Sequence, residues 1–257
     1  YDLTDPSVSK IFYNCNDIWI RDYLPKIYIS DGSKKMIRYR FNAYGGKYDH
    51  NNDNNFKEIF NYVSDEIDIA NFVLEGGNLE FSARGILITN MHCIKKNNIA
   101  NYTINTEEEI NRMIEKLGIS ELFTINLNGI IGDDTNGHID NFIRFIDNET
   151  IVYFASKDES YCNYQIACRL EKQVEDIVDR SKIIKQAIPL YHSKDDELIK
   201  NGKIYPYSKL NFIATTECFI FPCISSNRES LQHDLDGLPS KTKIYVINTE
   251  AALTEYG

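Results

Sequence analysis

The stretch Asp133-Asp134-Thr135-Asn136-Gly137-His138-Ile139-Asp140-Asn141-Phe142-Ile143-Arg144-Phe145 sets an imidazole and a carboxylate two residues apart, directly after a glycine. An extended backbone alternates its side chains between faces. A strand over residues 139–145 would therefore aim His138 and Asp140 at one small volume and turn Ile139 into the opposite layer. An imidazole titrates near neutrality and can pass a proton, and a carboxylate two positions on can hold a cation beside it. Taken alone, the pair is better explained as a hydrogen-bonded structural histidine at a loop-to-strand junction. The segments around it decide between the two readings.

Upstream, residues 122–127 form the strand that delivers the chain to this stretch, and the clearest helix precedes it. Thr106 caps that helix, Glu109 completes a capping box, Ile110, Met113, Ile114 and Leu117 form one apolar stripe, and Gly118 suits a left-handed terminal residue. Downstream come a strand at 151–154, a helix striped by Ile166, Leu170, Val174, Ile177 and Val178, and a strand at 183–189. Farther out, residues 27–29 and 36–41 read as a hairpin around Asp31-Gly32-Ser33. Gly45-Gly46 and the Asn/Asp-rich run 49–55 read as a surface loop, with a short helix over 56–63. Strands at 67–74 and 86–89 are separated by Glu75-Gly76-Gly77-Asn78. A strand pair at 210–214 and 219–222, a helix at 226–235 and a strand at 243–247 close the order. No residue-level repeat is visible, but strand, strand, helix, strand recurs, which is a repeated α/β unit.

The 257 residues carry 28 Lys and Arg against 38 Asp and Glu, a formal charge of -10 that argues against nucleic acid or an anionic membrane as partner and suits a cationic ligand. No apolar run reaches the ~18 residues that span a bilayer, and no signal-like segment opens the chain, so the expectation is a soluble, cytoplasmic protein. Cys15, Cys93, Cys162, Cys168, Cys218 and Cys223 form no CxxC pair and no zinc-ligand spacing, and are read as reduced thiols, with Cys218 and Cys223 in the core.

Three stretches carry polar groups beside glycine or proline: Asn16-Asp17-Ile18-Trp19-Ile20-Arg21-Asp22, Glu75-Gly76-Gly77-Asn78, and the run from Asp133 to Asp140. Singly, Asp22 reads as well as a turn carboxylate before Pro25, Glu75 as a cap and Trp19 as a core ring. In this order, however, the three motifs closely resemble the agmatine deiminase family, which also contains the bacterial peptidylarginine deiminases. Asn211-Phe212 and Leu238-Pro239 resemble later segments of that family, so the likeness covers nearly the whole chain.

The resemblance implies a single α/β domain over residues 1–257, the five-bladed β/α-propeller (pentein) of the guanidine-modifying enzymes. It implies a catalytic set of His138, Glu75, Asp22 and Asp140, with His138 as proton carrier oriented by Glu75. Asp22 and Asp140 would grip the guanidinium, Trp19 would wall the funnel, and Asp134 would join them in binding substrate. It implies no metal and no cofactor, a small cationic guanidine (agmatine) as partner, and admits a homo-oligomer. A guanidinium is planar, delocalised and cationic, so its carbon is a poor electrophile until carboxylates fix the fork. The expected activity is hydrolysis of agmatine to N-carbamoylputrescine and ammonia, as in putrescine biosynthesis. The alternatives are a peptidylarginine or arginine deiminase, or a non-catalytic guanidine- or polyamine-binding relative.

One departure stands out. The family's nucleophilic cysteine lies in a C-terminal Gly-Gly-x-His-Cys setting, and none of the six cysteines has such neighbours. The expectation is that these 257 residues lack that segment and most of the first blade, and by themselves do not turn agmatine over.

Overall fold

The computed structural model describes residues 14–30, 32–53, 67–98, 105–239 and 242–256. Among these residues four three-stranded sheets follow one another. The first is β1 (Lys26–Ser30), β2 (Ser33–Arg40) and β3 (Ile67–Val73), and the second is β4 (Glu80–Phe81), β5 (Ile86–Asn90) and β6 (Glu121–Ile125). The third is β7 (Ile143–Phe145), β8 (Thr150–Ala155) and β9 (Gln186–Tyr191). After a separate hairpin of β10 (Leu198–Lys200) and β11 (Lys203–Tyr205) comes the fourth, β12 (Ile213–Ala214), β13 (Cys218–Cys223) and β14 (Lys243–Asn248). In every sheet the first two strands pair antiparallel and the third returns parallel to the second.

A parallel return needs a crossover, and helices supply it. Short helix α1 (Ile20–Tyr23) precedes the first hairpin, and α2 (Ala43–Gly46), a single turn whose four residues all take positive φ, follows it. The second sheet uses α3 (Met91–Asn97) and α4 (Thr106–Leu117), the third α5 (Tyr164–Arg180) and the fourth α6 (Arg228–Asp236); α7 (Glu250–Tyr256) follows β14. The repeated α/β unit expected from the sequence is thus present three times in full among the described residues, and the first sheet shares its strand order, with part of the crossover lying outside those residues. The middle strands β5 and β8 are buried along their whole length. A strand with partners on both edges and layers on both faces reads as a continuous apolar run. Helix α5 buries Ile166, Leu170, Val174 and Ile177, the stripe its sequence displays.

The differences from the sequence reading have local causes. Helix α4 begins as expected, but its cap is Asn105, whose carboxamide accepts the Glu108 N–H; one residue upstream of Thr106, it reaches that orphan amide itself. Gly118 does take the left-handed terminal conformation, φ 63°. The last strand of the third sheet starts at Gln186 rather than 183, because Lys185 and Gln186 N–H groups both close on the Glu149 carbonyl. Helix α3 begins where the Asn90 side chain accepts the His92 N–H, a cap missed because Met91 to Asn97 shows no apolar stripe. The hairpin β10–β11 turns on Asn201-Gly202, both at positive φ, a turn signal present in the sequence and overlooked. The helix expected over 56–63 lies outside the described residues. All six cysteines are free, but Cys218 is only half-buried while Cys223 is in the core.

Arg144, from the stretch that opens the sequence reading, ties β7 to β4 and to the segment that leads into β12. Its Nε donates to Glu80 Oε2 at 2.9 Å, and its Nη1 donates to the carbonyls of Leu210 (3.2 Å) and Phe212 (2.6 Å). Glu80 Oε1 in turn accepts the Phe145 N–H at 2.7 Å. A buried guanidinium with this many charge-assisted bonds fixes how neighbouring sheets meet.

Candidate active site

Each of the three motifs lies in the tight turn just before the first strand of a sheet. Helix α1 leads into β1, the 3-10 turn Gly76–Asn78 into β4, and the 3-10 turn Ile139–Asn141 into β7. The second of these turns packs against both of the others. Repetition of one sheet unit therefore brings groups more than a hundred residues apart to a common centre.

The loop before β7 is shaped by its own side chains. Asp133 accepts the Thr135 N–H (3.0 Å) and hydroxyl (2.7 Å) on one oxygen and the Gly137 N–H (2.8 Å) on the other; the Thr135 hydroxyl then accepts the His138 N–H at 3.1 Å. Asn136 and Gly137 take positive φ, 68° and 94°, which reverses the chain and turns His138 inward. Asn90 pins the loop from outside, its Nδ2 donating to the carbonyls of Leu127 and Gly137, each at 2.7 Å. The expected strand over 139–145 is corrected here: Ile139–Asn141 is a 3-10 turn, because the Asn141 and Phe142 N–H groups close back on the His138 and Ile139 carbonyls, and the strand begins only at Ile143. Convergence of His138 and Asp140 thus comes from the turn, not from strand alternation.

The four residues expected to act together are brought together. Asp22 Oδ1 accepts the Gly77 N–H at 2.7 Å and lies 3.6 Å from His138 Nδ1. The Tyr44 hydroxyl lies 3.1 Å from Asp22 Oδ2, and its ring meets the His138 imidazole edge-on at 5.8 Å between centroids. Glu75 Oε1 accepts from Asn97 Nδ2 at 2.9 Å, leaving Oε2 3.9 Å from His138 Nε2, too far for a hydrogen bond. Asp140 Oδ2 accepts from Arg21 Nη1 at 2.8 Å. Two buried atoms of the cluster, His138 Nε2 and Asp140 Oδ1, have no hydrogen-bond partner. Gly77 is the floor: a Cβ built there would stand 2.4 Å from His138 Nδ1, 2.8 Å from Asp22 Oδ1 and 3.0 Å from Asp140 Oδ2.

The electrostatics are those of a cation site. Burial is the largest influence on His138 and pulls its pKa down, but attraction to Asp22, Asp140, Glu75 and Asp133 outweighs it, so the imidazole holds its proton above its ordinary value. Burial, with repulsion from Asp140, pushes the Asp22 carboxyl up against the opposing pull of His138, and burial likewise pushes Glu75 up. A further positive charge among these acids would relieve that repulsion.

Trp19 and Asp134 stand apart from the buried cluster. Trp19 is 36% exposed at the start of α1, its backbone N–H donating to Asp17 Oδ1. Asp134 is half-buried, and its carboxylate takes a short hydrogen bond from the Tyr48 hydroxyl. The sequence reading missed Tyr44, Asn97 and the clamp of Arg21 on Asp140. Arg21 lies inside a quoted motif and could have been suspected. Tyr44 and Asn97 carry no local signal, because only the tertiary fold sets them against Asp22 and Glu75. Cys93 also touches the cluster, its thiol pushed well up by burial and by the carboxylates led by Glu75.

A mixed α/β protein of repeated sheet units, three of them turned inward to a shared imidazole and carboxylate centre, is the class that fold and site define. The Porphyromonas-type peptidyl-arginine deiminase model matches residues 3–257, and the chain belongs to that family. It is 27% identical over 209 residues to the agmatine deiminase of Stutzerimonas stutzeri, an alignment covering 76% of this chain and 56% of that protein. The chain therefore spans somewhat over half the length of that curated relative. A substrate-bound agmatine deiminase of C. jejuni superposes with TM-score 0.81 at 25% identity, over 96% of this chain and 72% of its own. The agmatine deiminase of Enterococcus faecalis has the same fold, TM-score 0.82 at 20% identity, over 94% and 72%. Among the described residues no helix is long and apolar enough to cross a membrane.

Proposed function

We propose that the chain carries the guanidinium-binding and proton-transfer centre of an agmatine deiminase, built as one domain on a five-bladed β/α-propeller, acting in the cytoplasm without metal or cofactor and able to self-associate. The observation that carries this reading is the buried cluster of Asp22, Glu75, His138 and Asp140, with His138 Nε2 and Asp140 Oδ1 still unpartnered. Asp22 and Asp140 accept from the substrate's N–H groups and localise its positive charge, which makes the central carbon a better electrophile. Arg21 aids by holding Asp140 Oδ2, so that Oδ1 faces the incoming fork. A thiolate adds to that carbon, and a C–N bond breaks as His138 gives its proton to the departing ammonia. The same imidazole then takes a proton from water as water displaces sulfur, leaving the ureido product. Trp19 and Asp134 contact the remainder of the substrate. Glu75 holds His138 in its charged form by electrostatic attraction.

Cys93 is the cysteine of the cluster, and burial first, then the carboxylates led by Glu75, push its thiol up and disfavour its thiolate. None of the six cysteines has the Gly-Gly-x-His-Cys setting, so the 257-residue chain is expected to bind agmatine without turning it over. The test is calorimetric titration of the chain with agmatine, arginine, a peptide ending in arginine, and putrescine, beside a ureido-product assay on the same chain. Agmatine binding tightest and putrescine, which has no guanidinium, weakest is the expected order. Equal binding of agmatine and putrescine would refute the reading.

A further inference from the structure

We propose that Glu75, Cys93 and His138 form a binding site for a thiophilic divalent cation such as Zn2+ or Cd2+. One donor atom of each residue lies within 4.8 Å of the other two. The three side chains are deeply buried, at 1%, 0% and 3% exposure. His138 Nε2 has no hydrogen-bond partner and is turned toward Glu75 Oε2, while Nδ1 faces Asp22 on the opposite edge of the ring. Asn97 ties the other two donors together: its Nδ2 donates to Glu75 Oε1 at 2.9 Å and lies 3.5 Å from Cys93 Sγ.

Sulfur, imidazole nitrogen and carboxylate oxygen are the donors zinc takes, at roughly 2.3, 2.0 and 2.1 Å. Tetrahedral ligands at those lengths stand roughly 3.5 Å apart, so the donors must close by up to about 1.3 Å, which side-chain torsions at three separate residues can supply. Binding removes the thiol proton to solvent, and any proton on Nε2 with it; Sγ, Nε2 and Oε2 each then donate a lone pair to the ion. The thiolate and the carboxylate neutralise its double charge, and Asp22, Asp133 and Asp140 surround it with further negative charge. Burial first, and then these carboxylates, hold the thiol protonated in the free protein, and the same carboxylates favour a cation there. Asn97 acts as the outer partner that orients Glu75. The site takes Glu75 and His138 from the proposed catalytic centre, so an ion bound there would occupy Nε2 and block the proton transfer assigned to His138. It rests on donor geometry alone and not on the deiminase reading.

The test is titration of the 257-residue chain with Cd2+, following thiolate-to-cadmium charge-transfer absorption in the ultraviolet. The expected result is saturation at one equivalent, with Cys93→Ser weakening binding beyond the roughly 10–100-fold typical of losing an outer partner. Cys15→Ser, at the exposed cysteine, leaves it unchanged. An absorption that survives in Cys93→Ser, or vanishes in Cys15→Ser, would overturn the proposal. Should Cys93→Ser not fold, imidazole nitrogen NMR of the unaltered chain decides. Cd2+ must shift Nε2 of His138 more than Nδ1, and a His138 spectrum unmoved at saturating Cd2+ overturns the assignment.

Discussion

Replacing Gly77 by alanine is the sharpest perturbation of the cluster, because it adds one methyl group and no charge. The new Cβ would stand 2.4, 2.8 and 3.0 Å from His138, Asp22 and Asp140, and ordinary contact starts at 3.4 Å. The three groups must therefore retreat by about 0.4 to 1.0 Å, away from one another. Asp22 also keeps its bond to the Gly77 N–H at 2.7 Å, so it cannot withdraw without loosening that bond. Overpacking of this kind costs about 1–3 kcal/mol of stability. A displacement near 1 Å in a binding constellation costs on the order of 100-fold in function. Urea denaturation should show the first effect and calorimetric titration with agmatine the second. Gly237→Ala is the control: its Cβ meets only the Asp234 carbonyl, at 3.6 Å, and the backbone is right-handed helical. That change should be neutral or stabilise by about 0.4–1 kcal/mol. If Gly77→Ala binds agmatine within about threefold of the parent while folding normally, the three groups do not form one guanidinium site.

Four further outcomes are expected. Asp22→Asn should weaken agmatine by about 1.5–3 kcal/mol, roughly 10- to 150-fold, whereas Glu107→Gln on exposed α4 should change it by less than ~1 kcal/mol; equal effects in calorimetry would contradict a buried cation site. Asn97→Ala leaves the buried Glu75 Oε1 without its donor and should cost about 1–3 kcal/mol in urea denaturation, and no loss would mean that Asn97 does not support Glu75. Arg144→Met strands the Glu80 carboxylate and frees two carbonyls, which should cost about 3–5 kcal/mol; a change below ~1 kcal/mol would show that the sheets hold without the clamp. Stability should also fall as pH rises. Glu75 and Asp22 have raised folded pKa values, so the folded state binds more protons and loses stability above the unfolded carboxylate range of about 4. The raised His138 value adds stability that is complete below about 6.5 and is lost as pH climbs through its folded value. Melting temperatures that hold level or climb between about pH 5 and about pH 8 would contradict both signs.

What the sequence by itself determined was the repeating unit and the chemistry of its turns. Apolar runs such as Ile151 to Phe154 and the stripe of α5 are dictated by local period and burial, so strands and helices could be read without coordinates. His138, Asp140, Glu75 and Asp22 could be singled out because each stands in a motif rich in turn-forming residues, and the resemblance of those motifs to one family ordered them. Only the tertiary structure decided how the groups face one another. The inward turn of His138 depends on Asp133 folding its own loop and on Asn90 holding that loop from β5, the second a contact across tens of residues. Tyr44 and Asn97 are invisible in any window, since each acquires its role by packing against a residue distant in the chain. The physical reason is one of range: periodicity and turn preference act over a few residues and survive in the sequence, whereas the position of a buried polar group is set by partners that meet it only after the sheets have packed.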